Sequence, residues 1–260
     1  MPTDSAQRPP TIDATAAGRW SRLAPASQSP WLHEEIGRRM EDRLQWITAR
    51  PRRWADWSPL RGGLEAHGLV ARRYRDATPF VIEPDPLLAA ATARSLSAPW
   101  WTARRWQEGR PSFDPPPEDG VDLLWANMAL HMAADPQALI ARWHQGVATD
   151  GFLMFSCFGP DTLLELRALH RQLGWPPASH EFTDMHDWGD MLVGAGFAEP
   201  VMDMERIVLT WTSADAALAE LRTLGRNLHP GRFAALRGKD WRRALGAALP
   251  ELAPAEEGGG

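Results

Sequence analysis

The feature that most constrains the fold is a strand, helix and strand pattern between residues 121 and 158. VDLLWA is a short apolar run typical of a fully buried strand, and GFLMFSCF is a second such run. Between them, DPQALIARWHQGV predicts a helix with Asp135 as its N-cap and Pro136 at its first position. Two buried strands joined by a helix form a βαβ unit, which requires parallel strands and a right-handed crossover.

Further patterns on both sides extend this unit. PWLHEEIGRRMEDRLQWI predicts a helix, because apolar residues recur at intervals of three and four positions. RRWADW and the start of TPFVIEPDPLLAAATARSL predict strands, and VMDMERIVLTW predicts a longer extended segment. Strands that alternate with helices favour an α/β fold, a Rossmann-like three-layer structure with a mostly parallel, doubly wound sheet and added C-terminal helices. We expect six strands.

The domain boundaries follow from composition. Residues 1–29, rich in Pro, Ser and Thr, predict a poorly ordered N-terminal segment, and residues 251–260 predict a disordered tail. Residues 30–250 then form one domain with helical cap elements at about 159–176 and 213–249. Pro99 to Gly120 reads mostly as loop.

Composition also narrows the cellular setting. The first twenty residues contain no apolar signal region, and no stretch approaches the roughly 18 apolar residues of a membrane span. A single cysteine, Cys157, excludes an intrachain disulfide and suits a reducing compartment. We therefore expect a cytoplasmic protein with no membrane partner, and its oligomeric state stays open.

The charge is unevenly distributed. A formal net charge of −5 argues against nucleic-acid binding. Between Glu220 and Arg243, however, basic residues outnumber acidic ones. This region is either a solvated helical surface or a docking surface for an acidic partner. Its basic residues are Arg222, Arg226, Arg232, Arg237, Lys239, Arg242 and Arg243.

Candidate ligand-binding residues follow the predicted strands, because ligands of doubly wound sheets bind beyond the carboxyl ends of strands. Glu83 ends the second strand, where a carboxylate can accept hydrogen bonds from both ribose hydroxyls; alternatively it caps the next helix or forms a turn with Asp85. Asn127 and His131 follow VDLLWA and can present polar groups to a ligand, although a lone His is more often structural. Cys157 is more consistent with a buried, inert thiol than with a nucleophile.

The histidines give no indication of a metal site. None of them shows HxH or HExxH spacing. The eight histidines are His33, His67, His131, His144, His170, His180, His186 and His229.

Three stretches carry a family resemblance: VDLLWANMALHM, DPQALIARWHQGVATDGFLMFSCFGPDTLLELR and DMHDWGDMLVGAGFAEPVMDMERIVLTW. They resemble class I S-adenosylmethionine-dependent methyltransferases of the type that esterifies the free carboxylate of malonyl-acyl carrier protein in biotin synthesis. FGPDTLLELR followed by DMHDWGDMLVGAGF is specific to that group and its near relatives. The resemblance covers residues 121–225, with weaker agreement over 31–48 and 79–96.

The resemblance implies S-adenosylmethionine as cofactor and acyl carrier protein as the carrier of the substrate. It places the ribose-binding acid of the family on Glu83 and the active-site segment on Ala126 to His131, with Asn127 and His131 as catalytic candidates. Arg222 or Arg226 would pair with the substrate carboxylate. The implied cofactor-binding residues are Asp56, Gly62, Gly63, Glu83, Pro84 and Ala126.

The chain departs from the family after the first strand. The family has a glycine-rich loop of the form LDxGCGTG, whereas this chain reads WADWSPLRGGLEA, with Trp57, Ser58, Pro59 and Leu60 in the places of glycines. Gly62 and Gly63 come late and could simply begin the next helix. Trp20 is an aromatic residue in the stretch where the family has a Tyr-Asp pair over the cofactor.

Two main hypotheses follow. The first is an enzyme that methylates a carboxylate carried by acyl carrier protein, docked through the basic C-terminal region. The second is a catalytically inactive pseudo-methyltransferase that keeps the fold and acts as a binding or assembly partner. A weaker third is an assembly or hydroxylase protein of the kind that serves respiratory complex I.

Overall fold

The computed structural model describes residues 12–22, 29–97, 111–235 and 237–249. Within them, a parallel four-stranded sheet forms the centre. Its strands are β1 (Arg53–Trp57), β2 (Thr78–Ile82), β3 (Val121–Ala126) and β4 (Val147–Phe155). They lie in the order β2-β1-β3-β4.

Helices precede, connect and follow the strands. They are α1 (Ala14–Arg22), α2 (Trp31–Arg43), α3 (Pro59–Gly62), α4 (Leu64–Arg73), α5 (Pro86–Leu96), α6 (Pro136–Gly146), α7 (Leu164–Gln172), α8 (Met185–Gly194), α9 (Ala214–Leu224) and α10 (Lys239–Ala248). Short 3-10 turns lie at Leu44–Trp46 and Leu130–Met132. The predicted cap of α6 is confirmed, since the Asp135 carboxylate accepts a hydrogen bond from the Ala138 amide at 2.9 Å and Pro136 follows it.

The sheet is covered on both faces, because successive side chains of each strand point to opposite sides. On one face, Trp54 of β1 packs in a core with Met40 of α2 and Val70 of α4. On the other, Trp57 packs in a core with Trp143 of α6 and Trp188 of α8. This arrangement confirms the predicted three-layer, Rossmann-like α/β fold.

The order of the strands also fixes where a ligand can bind. The chain passes from β1 to β2 on one side and then crosses to β3 on the other side of β1. The strand order therefore reverses between β1 and β3, and the crevice beyond their carboxyl ends is the switch point at which doubly wound sheets bind ligands.

The prediction of a poorly ordered segment up to Ser29 is wrong for residues 14–22, which form α1. The Asp13 carboxylate accepts a hydrogen bond from the Ala16 amide at 3.0 Å and so caps the helix. Ala17 is buried, and the Asp13 amide donates to the Leu228 carbonyl at 2.8 Å. The composition of this segment could not predict the contact between Asp13 and Leu228, because the two residues lie far apart in the sequence.

The expectation of six strands is corrected to four within the described residues. VMDMERIVLTW does not join the sheet, and Val201 and Val208 are 94% and 76% exposed. Ion pairs hold the start of this segment beside α2 instead: Asp203 pairs with Arg43 at 2.7 Å, and Glu205 pairs with Arg39.

The other predicted elements have different outcomes. Helix α7 lies in the expected cap element at 159–176, and α9 and α10 lie in the one at 213–249. Part of the Pro99 to Gly120 loop and the whole predicted tail lie outside the described residues. In the described part of the chain, we find no helix with the length and apolarity needed to span a bilayer.

Candidate active site

The segment after β1 lies at the carboxyl end of that strand, at the switch point of the sheet. Ser58 turns the chain in the left-handed region, at φ 56°, and Pro59 begins the four-residue helix α3. Pro59 is buried and Leu60 is only 1% exposed, so both side chains point into the protein. The backbone of this segment is therefore anchored by two buried side chains, whereas glycines in these positions would leave it open to close approach by a ligand.

Gly62 and Gly63 allow close approach of other parts of this chain. A Cβ atom on Gly62 would lie 2.8 Å from the Asn127 carbonyl oxygen, and one on Gly63 would lie 2.7 Å from Glu34 Oε2. Gly63 also has φ +143°, which favours glycine. The Glu34 carboxylate in turn accepts hydrogen bonds from the Glu65 and Ala66 amides at 3.1 and 2.9 Å. The two glycines thus seat α2 and β3 against this segment.

Asp56 is directed into the core below the crevice. It is 1% exposed, and its Oδ2 accepts a hydrogen bond from His67 Nδ1 of α4 at 2.8 Å. The His67 ring lies against Trp54, with ring centroids 4.9 Å apart. Burial raises the pKa of the Asp56 carboxyl, and the hydrogen bond from His67 offsets part of that rise. Asp56 thus ties β1 to α4 rather than facing the crevice.

Glu83 stands at the carboxyl end of β2, beside the segment after β1. Its Oε1 accepts a hydrogen bond from Thr92 Oγ1 at 2.8 Å. Burial raises the pKa of Glu83, while Thr92, Ser58 and the Leu60 amide lower it in part. Its other oxygen, Oε2, is buried and has no hydrogen-bond partner among the described residues. An unpaired carboxylate oxygen in this position can accept a hydrogen bond from a ligand.

Glu83 does not cap the helix that follows it. Asp85 is the N-cap of α5, since its carboxylate accepts a hydrogen bond from the Leu87 amide at 2.8 Å. Of the alternatives open from the sequence, the capping role therefore belongs to Asp85. Pro84, between the two acids, is exposed.

Asn127 joins the segments after β1, β3 and β4. Its Nδ2 donates to the His33 carbonyl at 2.7 Å and to the Gly62 carbonyl, and its Oδ1 accepts from Ser156 Oγ at 2.5 Å. The side chain is 2% exposed. Ala126, next to it, is fully buried among the apolar residues of the sheet. The side chains of Asn127 and Ala126 thus contact other residues of the protein and are not exposed to a ligand.

His131 lies in a cluster of five rings: His33, His131, Phe158, His180 and Phe182. The centroid of His131 lies 4.6 Å from that of Phe158 and 6.0 Å from that of Phe182. His180 lies 4.7 Å from Phe182, and His33 lies 6.3 Å from Phe158. Burial lowers the pKa of His33 to about 4, that of His131 well below its usual range, and that of His180. All three rings are therefore neutral at neutral pH.

Comparison with known proteins identifies the family. The malonyl-[acyl-carrier protein] O-methyltransferase of Laribacter hongkongensis is 35% identical over 229 residues, covering 85% of this chain and 76% of that protein. The proteins of the same name from Gallionella capsiferriformans and Halorhodospira halophila are each 34% identical, over 82% and 77% of this chain and 75% and 67% of their own lengths. The chain belongs to the malonyl-[acyl-carrier protein] O-methyltransferase family. No protein-family model matches it.

The solved structures that match the chain share less of its sequence. The [4+2]-cyclase SpnF is 15% identical with a TM-score of 0.45, covering 63% of this chain and 56% of SpnF. A SAM-dependent methyltransferase from Thermotoga maritima, a possible histamine N-methyltransferase, is 12% identical with a TM-score of 0.41, covering 65% of this chain and 73% of its own.

In this family member, Arg222 and Arg226 lie on the surface at the end of α9. Both are exposed, and Arg226 Nη1 donates to the Arg222 carbonyl at 2.6 Å. Gly225, between them, lies near Trp20 of α1, since a Cβ atom there would be 3.6 Å from Trp20 Nε1. The two arginines are thus near α1, which Arg61 in turn ties to the segment after β1: Arg61 Nη2 donates to the Trp20 carbonyl at 2.9 Å.

Several of the other basic residues of the C-terminal region already have partners. Arg232 pairs with Asp13 at 2.8 Å, and Arg242 pairs with Asp215 at 2.8 Å. Arg243 pairs with Asp240 at 3.0 Å, and Arg237 lies over the Trp241 ring at 4.4 Å. Among the described residues, no ion pair involves Arg222, Arg226 or Lys239, so these three cations are the most available to an acidic partner.

Cys157 lies just after β4, and its thiol is unreactive at neutral pH. Burial raises the pKa of its thiol to about 12, so it is protonated at neutral pH. The structure is consistent with the expected inert thiol.

Sequence reasoning missed His33 and His180 as members of the ring cluster. His33 sits beside Leu32 on α2 and is as buried as the apolar residues around it. A histidine among apolar helix positions was the available signal for His33. His180 lies in a segment without regular structure, where no periodicity could indicate its burial.

Proposed function

We propose that this chain is an S-adenosylmethionine-dependent O-methyltransferase that esterifies the free carboxylate of malonyl-acyl carrier protein, an early step of biotin synthesis. The relatives supply the reaction, since proteins of that name are 34–35% identical to the chain. One structural observation carries the cofactor assignment: at the end of β2, the buried Oε2 of Glu83 has no hydrogen-bond partner within the described part of the chain. A ribose hydroxyl is the kind of donor that this oxygen lacks.

The reaction makes modest chemical demands on the protein. Bound S-adenosylmethionine supplies an electrophilic methyl group on a sulfonium, and the malonyl carboxylate is already ionised at neutral pH. The protein need only align the carboxylate and exclude water, so it requires no general base. We therefore assign positioning roles to Asn127 and His131, which shape the crevice after β3, and a docking role to Arg222 and Arg226.

The segment after β1 favours a second candidate function. Pro59 and Leu60 are buried in the short helix α3, which follows β1 in the place of the glycine-rich loop. A family member closed in this way would keep the fold and the partner surface without methylating. This second candidate is a pseudo-methyltransferase that binds acyl carrier protein or another partner.

Calorimetry with S-adenosylmethionine separates the two functions. The enzyme predicts saturable binding, and transfer of a labelled methyl group from S-adenosylmethionine to malonyl-acyl carrier protein but not to the acetyl form. The pseudo-methyltransferase predicts no heat and no thermal shift at millimolar cofactor. Either pattern contradicts the other function.

Two variants in which an acidic residue is replaced by its amide test the assignment of Glu83 to the ribose. Glu83→Gln replaces one acceptor oxygen with a donor, and we expect at least a tenfold loss of cofactor affinity, since a hydrogen bond to a charged group contributes about 1.5 to 3 kcal/mol. Asp85→Asn is the matched control, because asparagine also caps helices. If Glu83→Gln and the wild type bind S-adenosylmethionine with equal affinity, Glu83 does not bind the ribose.

A further inference from the structure

The three histidines of the ring cluster each leave one nitrogen without a partner. His33 Nε2, His131 Nε2 and His180 Nδ1 are buried and have no hydrogen-bond partner among the described residues. The three residues are 4%, 6% and 4% exposed. An unpaired buried polar atom is costly, so three in one cluster leave hydrogen-bonding capacity that a ligand can use.

Backbone contacts determine what each unpaired nitrogen can do. His33 Nδ1 donates to the Arg61 carbonyl at 2.7 Å, and His180 Nε2 donates to the His131 carbonyl at 3.1 Å. The remaining nitrogens of these two neutral rings are therefore acceptors. His131 Nδ1 accepts from the Phe158 amide at 3.4 Å, so its Nε2 carries the proton. The cluster thus offers two acceptors and one donor.

This donor and acceptor set is complementary to the head group of an α-amino acid. The ammonium group of such a head group donates hydrogen bonds to acceptors of the protein, and its carboxylate accepts hydrogen bonds from donors of the protein. The rings of Phe158 and Phe182 add faces that attract a cation. Neutral imidazoles suit an ammonium, because protonated rings would repel it.

The position of the cluster fits the proposed cofactor. Glu83 follows β2, whereas Asn127 and His131 follow β3, with β1 between these strands. Two strand spacings amount to about 10 Å, a distance that an extended nucleoside with an amino-acid side chain can span. Phe158 and Phe182 lie in segments without regular structure, so their side chains can move aside for a ligand without breaking a helix or strand, while His180 keeps its hydrogen bond to the His131 carbonyl.

We propose that His33, His131 and His180 bind the amino-acid end of S-adenosylmethionine, with the ammonium at His33 and His180 and the carboxylate at His131. The inference rests on the proposed function. The histidines take over what the glycine-rich loop does elsewhere in the family, because α3 closes that loop here.

The test compares two ligands that differ only at the amino-acid end. S-adenosylhomocysteine carries the amino acid, and 5′-methylthioadenosine has the same nucleoside and a thioether without it. Calorimetry on the wild type should give S-adenosylhomocysteine at least a tenfold advantage, the equivalent of one hydrogen bond to a charged group. Equal affinities would overturn the inference even if every variant failed to fold.

Conservative variants then assign the effect to the histidines. His33→Asn, His131→Asn and His180→Gln each keep the backbone hydrogen bond and remove only the unpaired nitrogen. Each should weaken S-adenosylhomocysteine by about tenfold and leave methylthioadenosine within twofold. His170→Asn is the control, since buried His170 bonds the Pro176 carbonyl at 2.7 Å outside the cluster.

The outcomes separate the two proposals. Unchanged S-adenosylhomocysteine affinity in all three variants overturns the histidine site and leaves the methyltransferase intact. Equal weakening of both ligands indicates a structural role and also overturns the inference. A wild type that binds neither ligand contradicts the proposed function itself, and the inference with it.

Discussion

The segments after β1 and β3 leave neighbouring strands at the same edge of the sheet, but the chain treats them differently. After β1, buried Pro59 and Leu60 close the backbone, and Gly62 and Gly63 face other residues of the protein. After β3, the ring cluster around His131 contains ring nitrogens that have no hydrogen-bond partner in the described ranges of the chain. The first segment stabilises the fold, whereas the second retains unsatisfied binding capacity.

This difference separates the structural role of the segment after the first strand from its role in binding the cofactor. A glycine-rich loop both ends the first strand and contacts the cofactor, so its loss suggests loss of function. Here the closed segment keeps the structural part of that role, through its contacts with Asn127 and Glu34. On our proposals, cofactor binding then depends on Glu83, after β2, and on the histidines of the ring cluster, after β3.

The largest effect is expected for Asn127, which joins the two segments. Asn127→Ala removes the donor to the His33 and Gly62 carbonyls and the acceptor for Ser156. Leaving these buried groups unpaired should lower the free energy of unfolding by about 3 kcal/mol, measured by urea denaturation. Ser156→Ala, the control, should cost about 1 kcal/mol. An Asn127 effect no larger than the Ser156 effect would mean that the segments are stable independently.

The next effect concerns pH. Burial lowers the pKa of His33 from 6.5 to about 4, so below pH 6.5 the unfolded chain binds a proton that the folded ring excludes. Stability should therefore fall as the pH drops from 6.5 towards 4. Between pH 7 and 4.5, the free energy of unfolding of His33→Asn, measured by urea denaturation, should fall by about 2 kcal/mol less than that of the wild type. Identical losses would show that His33 is solvated in the folded protein.

The sequence predicted the parts of this comparison that depend on local pattern. The βαβ unit, the strand RRWADW and the Asp135 cap are local, since periodicity or a capping residue determines each. Glu83 could be proposed as a ligand-binding residue because a strand end is recognisable from the sequence.

The rest depends on contacts between distant residues. The hydrogen bond from Asn127 to the His33 carbonyl joins residues 94 positions apart, and the ion pairs of Asp203 and Glu205 reach α2 from more than 150 positions away. Such contacts decide that VMDMERIVLTW stays off the sheet and that Gly62 faces Asn127. No spacing rule in a single sequence carries that information.

A smaller effect is expected when a methyl group is added to the segment after β1. Gly62→Ala places a Cβ atom 2.8 Å from the Asn127 carbonyl oxygen, so the backbone must shift. The resulting overpacking should cost about 1 to 2 kcal/mol of unfolding free energy. Gly159→Ala, after β4, is the control, because its Cβ atom would meet nothing within 4 Å. Equal stabilities of the two variants would mean that the segment after β1 is loosely packed.

The smallest change in stability is expected at Arg222 and Arg226, where the prediction concerns binding instead. Both are exposed at the end of α9, so reversing each to Glu should alter the free energy of unfolding by less than about 0.5 kcal/mol. If they dock an acidic carrier, the reversal should weaken binding of malonyl-acyl carrier protein several-fold at low salt and flatten its salt dependence. Arg52→Glu is the matched control, because Arg52 is exposed immediately before β1, at the opposite edge of the sheet. If Arg52→Glu weakens the carrier equally, the attraction comes from overall charge, and neither arginine marks a docking surface.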